Sequence, residues 1–398
     1  MRPPALHSYL LWRSSVDPDA RTLAKWRFTA AASLIPAAMV GLFVFGWYAG
    51  LLLLLSLVSA FVADVLCHRL VFKGPAGTSD GTWILTGLLL GLFLPPAAPW
   101  WLAILGPAAA LAIGKHWLSV DGAPLLQPAA VGLLLLHIVF APFMHPTAQV
   151  GGRPIPKWPV LAWPFAAPQA EAKENLGRYL AQQFLRRDIT HAMDRQTYRD
   201  EQFAGRQPMF DAKHNIQADA VFGPRPLDLA QENPRQSTAD LPGPDHYEWQ
   251  DVLLGYTPGP IGGASALALI FGICLLFFTR AVSWLTPLIG LFVLFAGLSL
   301  LGNANVSIHL LSGPTLLGFF YLVADPGCAP RSRRGKVLAG VSAGLLELVL
   351  RGVLSEATFI SGIVVQGLSF VLDQYIAPPK EAPRQTTARM SITTLGRL

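Results

Sequence analysis

The chain is 398 residues long, 52% hydrophobic and only 14% charged, with a formal net charge of +6. That balance excludes an ordinary soluble domain and points to a polytopic membrane protein. Cys67, Cys274 and Cys328 stand far apart with no CxxC, so neither a disulfide framework nor a self-contained zinc or iron–sulfur site is encoded.

Residues 1–27 are polar and basic, with Arg13, Arg21, Lys25 and Arg27 leading into the first apolar run, and they read as a cytoplasmic tail. The opening MRPPALHSYLLWRSS has too short an apolar run for a cleavable signal peptide. Two spans follow over 28–46 and 48–66, each near the 20 or so residues a bilayer requires. A third, 79–96, is rich in small residues and ends in LPPAAPWW, which predicts an interrupted helix with Trp100 and Trp101 at an interface. The fourth covers 101–113 and the fifth 125–144. Residues 145–256 then hold 14 of the 24 acidic residues and no run long enough to span, so they form a soluble insertion. Within it, ENLGRYLAQQFLRRDITHAM (174–193) has the apolar spacing of one amphipathic helix. His145, His191, His214 and His246 of the insertion follow no metal-ligand spacing.

Membrane sequence resumes in 257–377, with spans over 264–278, 285–301, 309–326, 337–350 and 359–376, and a basic tail, 378–398, closes the chain. The eighth of these carries Gly313, Pro314 and Gly318 and ends on Asp325–Pro326. Helix breakers and an acid at membrane depth predict a discontinuous helix whose freed backbone groups line a buried site. RSRRGK (331–336), between the eighth and ninth spans, reads first as a topology determinant and second as a docking patch for a cytoplasmic partner or anionic membrane lipid.

The expected fold is therefore an all-α polytopic membrane protein of about ten transmembrane helices. Ten spans put both termini on one side and the insertion on the other. Of the 18 Lys and Arg outside the insertion, 17 then fall on the cytoplasmic side and Arg351 alone does not. Five spans before the insertion and five after it imply two inverted five-helix repeats in the cell's inner membrane, with a site between corresponding broken helices.

Several phrases resemble one family, the flavin-carrying membrane subunits of the Rnf electron-transport complexes (RnfD) and of the sodium-pumping NADH:quinone oxidoreductase (NqrB). They are TGLLLGLFLPPAAPWW (86–101), GKHWLSVDGAPLLQPAAVG (114–132), GASALAL (263–269) and HLLSGPTLLGFFYLVADPGCAP (309–330). The resemblance implies a protein that passes electrons across the membrane through a flavin (FMN or riboflavin), coupled to Na+ or H+ movement. Its implied partners are flavin-binding and iron–sulfur proteins of the same complex. Family members bear a covalent FMN on a threonine of a D-x-x-T-G-A-T-like motif. The counterpart here is DAVFGPRPL (219–227), where Arg225 takes the acceptor's place. Arginine cannot accept a phosphoester, so a covalent FMN is not expected and a non-covalent flavin is. The guanidinium of Arg225 suits a phosphate; alternatively it pairs with Asp219 or Asp228. Gln127 departs from the asparagine the family carries before Pro128.

Lys115 and His116, beside a Gly/Pro-rich turn, suit a phosphate or the polar edge of a flavin, and Ser312, Gly313 and Thr315 of the broken helix complete the expected cofactor contacts. Acids in or beside spans cost about 2.5–3.5 kcal/mol on insertion scales. Asp325, Asp373, Asp64 and Glu347 therefore read as an ion path. For Asp325 the plain alternative is a helix cap; for Asp64 it is a pair with His137 or another helix. No Walker loop, dinucleotide fingerprint or nucleic-acid-binding pattern is present, which argues against ATP-driven transport and direct NADH binding. A small-solute transporter or channel with inverted repeats and no redox role is the other reading.

Overall fold

A computed structural model describes residues 20–69, 80–96, 98–120, 123–144, 225–240, 247, 249–255, 259–279, 282–352 and 357–376. The amphipathic segment 174–193 and residues 219–224 of DAVFGPRPL lie outside them.

α1 (Ala20–Ser33) and α2 (Ile35–Phe45) form the first span. Pro36 stands in the first turn of α2, where its missing N–H is no loss. The helix begins eight residues earlier than the hydropathy predicts and carries Arg27, only 7% exposed, into the bundle. Gly46, at φ 81°, makes the turn into α3 (Trp47–Cys67) in a left-handed conformation that glycine alone adopts cheaply. Thr22–Phe45 and Trp47–Cys67 are each long and apolar enough to cross a bilayer, and the other apolar helices are 10–17 residues.

α4 (Thr82–Phe93) is unbroken, against the expectation of an interruption inside the third span; the irregular chain lies at its end, where Leu94 is extended. The fourth span, α5 (Trp100–Ala109), runs on past Ile113 as a wide π-helical turn, Ala110–Trp117. Lys115 and His116 thus stand on the last helical turn and not in the loop, because their polar heads are paired inside the bundle. A two-residue antiparallel ladder, β1 (Ser119–Val120) with β2 (Ala123–Pro124), leads to α6 (Pro128–Val139) and α7 (Ala141–Met144).

From the insertion come α8 (Pro226–Glu232) and α9 (Trp249–Leu254). The second half holds α10 (Ala266–Phe278), α11 (Leu285–Leu300), α12 (Val306–Leu311), α13 (Gly313–Leu317) with the π-helical turn Gly318–Val323, α14 (Arg333–Leu350) and α15 (Thr358–Ile376). Ser312, at φ −56° and ψ 132°, is extended and breaks the eighth span between α12 and α13, as Gly313 and Pro314 predict. Ser332 starts α14 by accepting a hydrogen bond from Gly335 N at 2.9 Å, a cap placed among the arginines of RSRRGK.

In the first half α3 packs on α4 and α5, and α5 with its wide turn packs on α6. In the second, α11 packs on α14, α14 on α15, and α15 on the turn Gly318–Val323. The halves meet where α10 lies on α1 and α2 and where α15 lies on α6. Small residues let backbones touch: a Cβ on Gly344 would come within 2.6 Å of Gly290 O, and one on Gly340 within 2.7 Å of Thr286 O. Such contacts suit helices that associate without a hydrophobic drive between them. Large apolar side chains such as Val58, Phe271, Phe292 and Phe295 face outward, while Asp64, Lys115, Glu347 and Arg351 are buried. This inversion belongs to an all-helical membrane protein, whose solvent is lipid.

Candidate functional site

Three irregular segments converge at one end of the bundle. Ile261 N donates to Leu94 O at 3.0 Å, joining the end of α4 to the turn before α10. The backbones of Gly263 and Gly313 touch, so neither position has room for a side chain. Around this contact lies a cleft lined by Arg225, Leu227, Pro260, Gly263, Ser312 and Gly313, among others. It is open to one side and its volume is about 20 Å³, room for a water. Arg225 Nε and Nη2 donate to Asp228 at 2.8 and 3.2 Å, so a fork matched to oxyanions already faces a carboxylate, half-buried at the mouth of α8.

The insertion is tied to the broken helix by Asn305. Its amide donates to Asn233 O at 3.1 Å and Gln236 O at 2.8 Å, and its oxygen accepts from Thr238 N at 2.8 Å. Ala230, Val252 and Ile308 pack beneath these bonds. Thr238 is fully buried and its hydroxyl donates to Tyr247 O at 2.7 Å.

Behind the break sits a buried polar network. Arg351 Nη1 donates to His309 O at 3.1 Å and contacts His309 Nδ1 at 3.0 Å, while Nη2 donates to Thr315 Oγ1 at 2.7 Å and Glu347 Oε1 at 2.8 Å. Thr358 and Ser361 hydroxyls donate to the two oxygens of Glu347, at 2.9 and 3.2 Å. Glu347 is 0% and Arg351 3% exposed, and burial of that depth is tolerated only when a charge is matched and hydrogen-bonded.

α4 starts at a second charged cluster, at the opposite end of the bundle from the cleft. Lys115 Nζ donates to Asp64 Oδ1 and Oδ2 at 2.7 and 2.9 Å and lies 2.9 Å from Asp80 Oδ2. His116 Nε2 lies 3.3 Å from Asp64 Oδ1. Arg27 Nη1 donates to Asp80 O at 3.1 Å and stands 3.5 Å from its carboxylate. The partner of Asp64 is therefore Lys115, not His137, whose Nδ1 lies 2.8 Å from Leu133 O. Nearby, Asp325 Oδ1 accepts from Gly327 N at 2.7 Å and its carbonyl from Ala329 N at 2.8 Å, so it closes the turn after the eighth span.

Between the two ends, the wide turn Gly318–Val323 leaves backbone carbonyls for side chains to satisfy. Gln127 Nε2 donates to Tyr321 O at 3.2 Å, Gln366 Nε2 to Leu322 O at 2.6 Å, and Gln127 N to Gln366 Oε1 at 2.9 Å. The Ser33 and Tyr321 hydroxyls meet at 2.8 Å, linking the first span to the eighth. Among the described residues no group of three or more His, Cys, Asp or Glu is placed to hold a metal ion.

The expected residues thus separate into groups. Arg225, Ser312 and Gly313 line the cleft. Thr315 and Glu347 join the network behind it, and Asp64, Lys115 and His116 form the opposite cluster. Asp325 stands near that cluster, where Arg27 comes up beside Gly327, and Asp373 lies on α15 with its side chain outside the described set. Sequence reasoning missed Arg351, His309, Asp80 and Gln366. Arg351 carried a signal, as the lone exception to the charge distribution and as the fourth residue after Glu347 on one helical face.

The model of the NQR2, RnfD, RnfE family matches residues 14–380. A protein of Halorhodospira halophila, named as one of the subunits of an ion-translocating oxidoreductase complex, is 28% identical over 368 residues, 90% of each chain. Proteins of the same name from Stutzerimonas stutzeri and Rhodobacter capsulatus are 28% and 29% identical. They cover 92% and 83% of this chain, and 92% and 82% of their own lengths. With a match running through both halves, the cleft and both charged clusters, this chain belongs to the NQR2, RnfD, RnfE family.

Proposed function

We propose that this protein is the membrane subunit of an Rnf-like electron-transfer complex, in which redox chemistry drives ion movement. The carrying observation is the family match over 14–380, together with relatives named as subunits of an ion-translocating oxidoreductase complex. The broken eighth span and buried charges support such a role, since irregular backbone at membrane depth needs protein or a cavity to satisfy it and intramembrane charges are costly enough to point to function. No observation favours a transporter or channel without a redox role. The partners are the complex's other proteins, flavin-binding and iron–sulfur, together with membrane lipid.

The same reading takes the chain as ten spans in two inverted repeats, in the inner membrane, with both termini cytoplasmic and the insertion outside. Supporting it is the matched packing of the halves, in which the second span lies on the fourth as the seventh lies on the ninth, and the fourth on the fifth as the ninth on the tenth. The distribution of Lys and Arg supports it independently.

Flavin, where bound, supplies the electron-carrying chemistry, and the protein supplies position and electrostatics. Arg225 and Ser312 would hold a phosphate edge at the cleft, with the rings outside the described residues. Lys115 and His116 are committed to Asp64, which makes Lys115 a fixed charge first. Asp325, Asp373, Asp64 and Glu347 are the proposed ion path, with Glu347 and Asp64 each held against a buried cation.

A covalent flavin at the family's threonine is not expected. Of the two nearest hydroxyls downstream, that of Thr238 is buried against Tyr247 O, and the Ser237 oxygen accepts from Ala239 N at 3.3 Å. Purified complex should show a flavin spectrum, while this chain, denatured and run on a gel, should show no fluorescent band under ultraviolet light. A colourless complex would remove the redox reading, and a fluorescent band at the size of this chain would place a covalent flavin back on it.

A further inference from the structure

Of the three buried cations among the described residues, Arg27, Lys115 and Arg351, the last two occupy matching places in the two halves, and Arg27 joins Lys115 at Asp80. Lys115 stands on the last turn of the fourth span and Arg351 directly follows α14, the ninth. Lys115 takes the carboxylate of Asp80, just before α4, and that of Asp64, near the end of α3. Arg351 takes His309, in the first piece of the eighth span, and the ring of His309 is hydrogen-bonded in turn to Asn303, just past α11, at 3.3 Å. In each half a cation at the end of the fourth helix therefore grips the start of the third and reaches the end of the second.

The chemistry of the grip follows from what each helix start lacks. In an unbroken helix His309 O would accept from the N–H of Gly313, four residues on. With Ser312 extended, Arg351 Nη1 and the Thr315 hydroxyl donate to that carbonyl, at 3.1 and 3.0 Å. At the other end Asp80 accepts from Thr82 N and Oγ1 at 3.1 and 2.6 Å, so its carboxylate starts α4 while its charge is held by Lys115. Both cations also stand at helix C-termini, where positive charge is favoured. Arginine serves at the break, where several acceptors converge on its fork; lysine serves where two carboxylates share a point charge.

We infer that Lys115 and Arg351 are a pair of pins, one per repeat, that hold the third helix of each half shut against its neighbours at opposite ends of the bundle. Arg351 controls access to the cleft at Ser312 and Gly313, and Lys115 controls access beside Asp64. The inference rests on the inverted-repeat reading for the word repeat, and on the contacts alone for the pins.

The test uses the full-length chain in native membranes and the small permeant reagent N-ethylmaleimide. One reporter carries Ser312→Cys with Cys67, Cys274 and Cys328 replaced by serine. The other retains Cys67, half-buried three residues from Asp64, as its sole cysteine. Arg351→Gln should raise the labelling rate at position 312 by about tenfold or more and leave Cys67 unchanged, since opening would be local. Lys115→Gln should do the reverse. Arg351→Lys should restore part of the protection, because an ammonium keeps the charge but not the fork. If both reporters quicken together in each variant, or neither does, there are no separate pins. Should Arg351→Gln fail to accumulate, Thr315→Val removes one acceptor and spares the ion pair. It should quicken position 312 by about threefold, again as a local opening, and an unchanged rate overturns the outer pin. Whether an impermeant maleimide reaches the two reporters from opposite sides tests the topology separately.

Discussion

Arg351 shows why a charge must be judged by its surroundings. By sequence it is the one Lys or Arg outside the insertion that falls on the outer side; in the fold it is buried and bound to Glu347, His309 and Thr315. Removing one partner of such a pair strands a charge and costs about 3–5 kcal/mol, so it is held for position and not for orientation in the membrane. Asp325 is a different case. Its side chain accepts from Gly327 N and closes a turn, and an asparagine oxygen would do the same. Asp325→Asn should therefore keep that turn bond while removing the charge. Turnover of the complex should fall several-fold while the melting temperature of this protein stays within a few degrees. Unchanged turnover would leave Asp325 as a cap alone.

At the level of the element, the eighth span is the organising piece. Gly313 and Pro314 end one helix and begin another, and the resulting break touches the turn before α10 with no side chain between them. A Cβ at Gly313 would fall on the Gly263 backbone. Gly313→Ala should thus destabilise the protein by about 1–3 kcal/mol through overpacking and lower the yield from membranes. Gly367→Ala, where a Cβ would meet nothing within 4 Å, is the matched control. Equal melting temperatures for the two variants would mean that the contact at the break gives way without cost. The π-helical turn below it is held by Gln127 and Gln366, amides from two other spans that reach its carbonyls. Gln127 uses the length of its side chain to reach Tyr321 O.

Over the whole molecule, the helices before and after the insertion meet where α10 lies on α1 and α2 and where α15 lies on α6, with a charged cluster at each end. The proposed topology puts residues 145–256 on the outer side of the membrane. A cysteine at Gln202 should be labelled in intact cells by an impermeant reagent; labelling only after lysis would reverse the assignment. The described end of the insertion, 225–255, belongs with the membrane body, because Asn305 ties its backbone to the start of the broken helix.

Helical class and the break at Ser312 were legible in the chain. Apolar runs near bilayer length and the pair Gly313–Pro314 act locally, whatever packs against them. The partners of the charges were not legible. Asp64 was equally compatible with His137 and with any basic residue on a neighbouring helix, and only the continuation of α5 through its wide turn brings Lys115 to it. The same holds for Glu347. Its i,i+4 neighbour could be read from spacing, but the contacts of that arginine with His309 and Thr315 join residues 42 and 36 positions apart. Local chemistry decides where a helix starts and stops. Which buried charge meets which depends on how helices distant in sequence pack, and no local pattern encodes that.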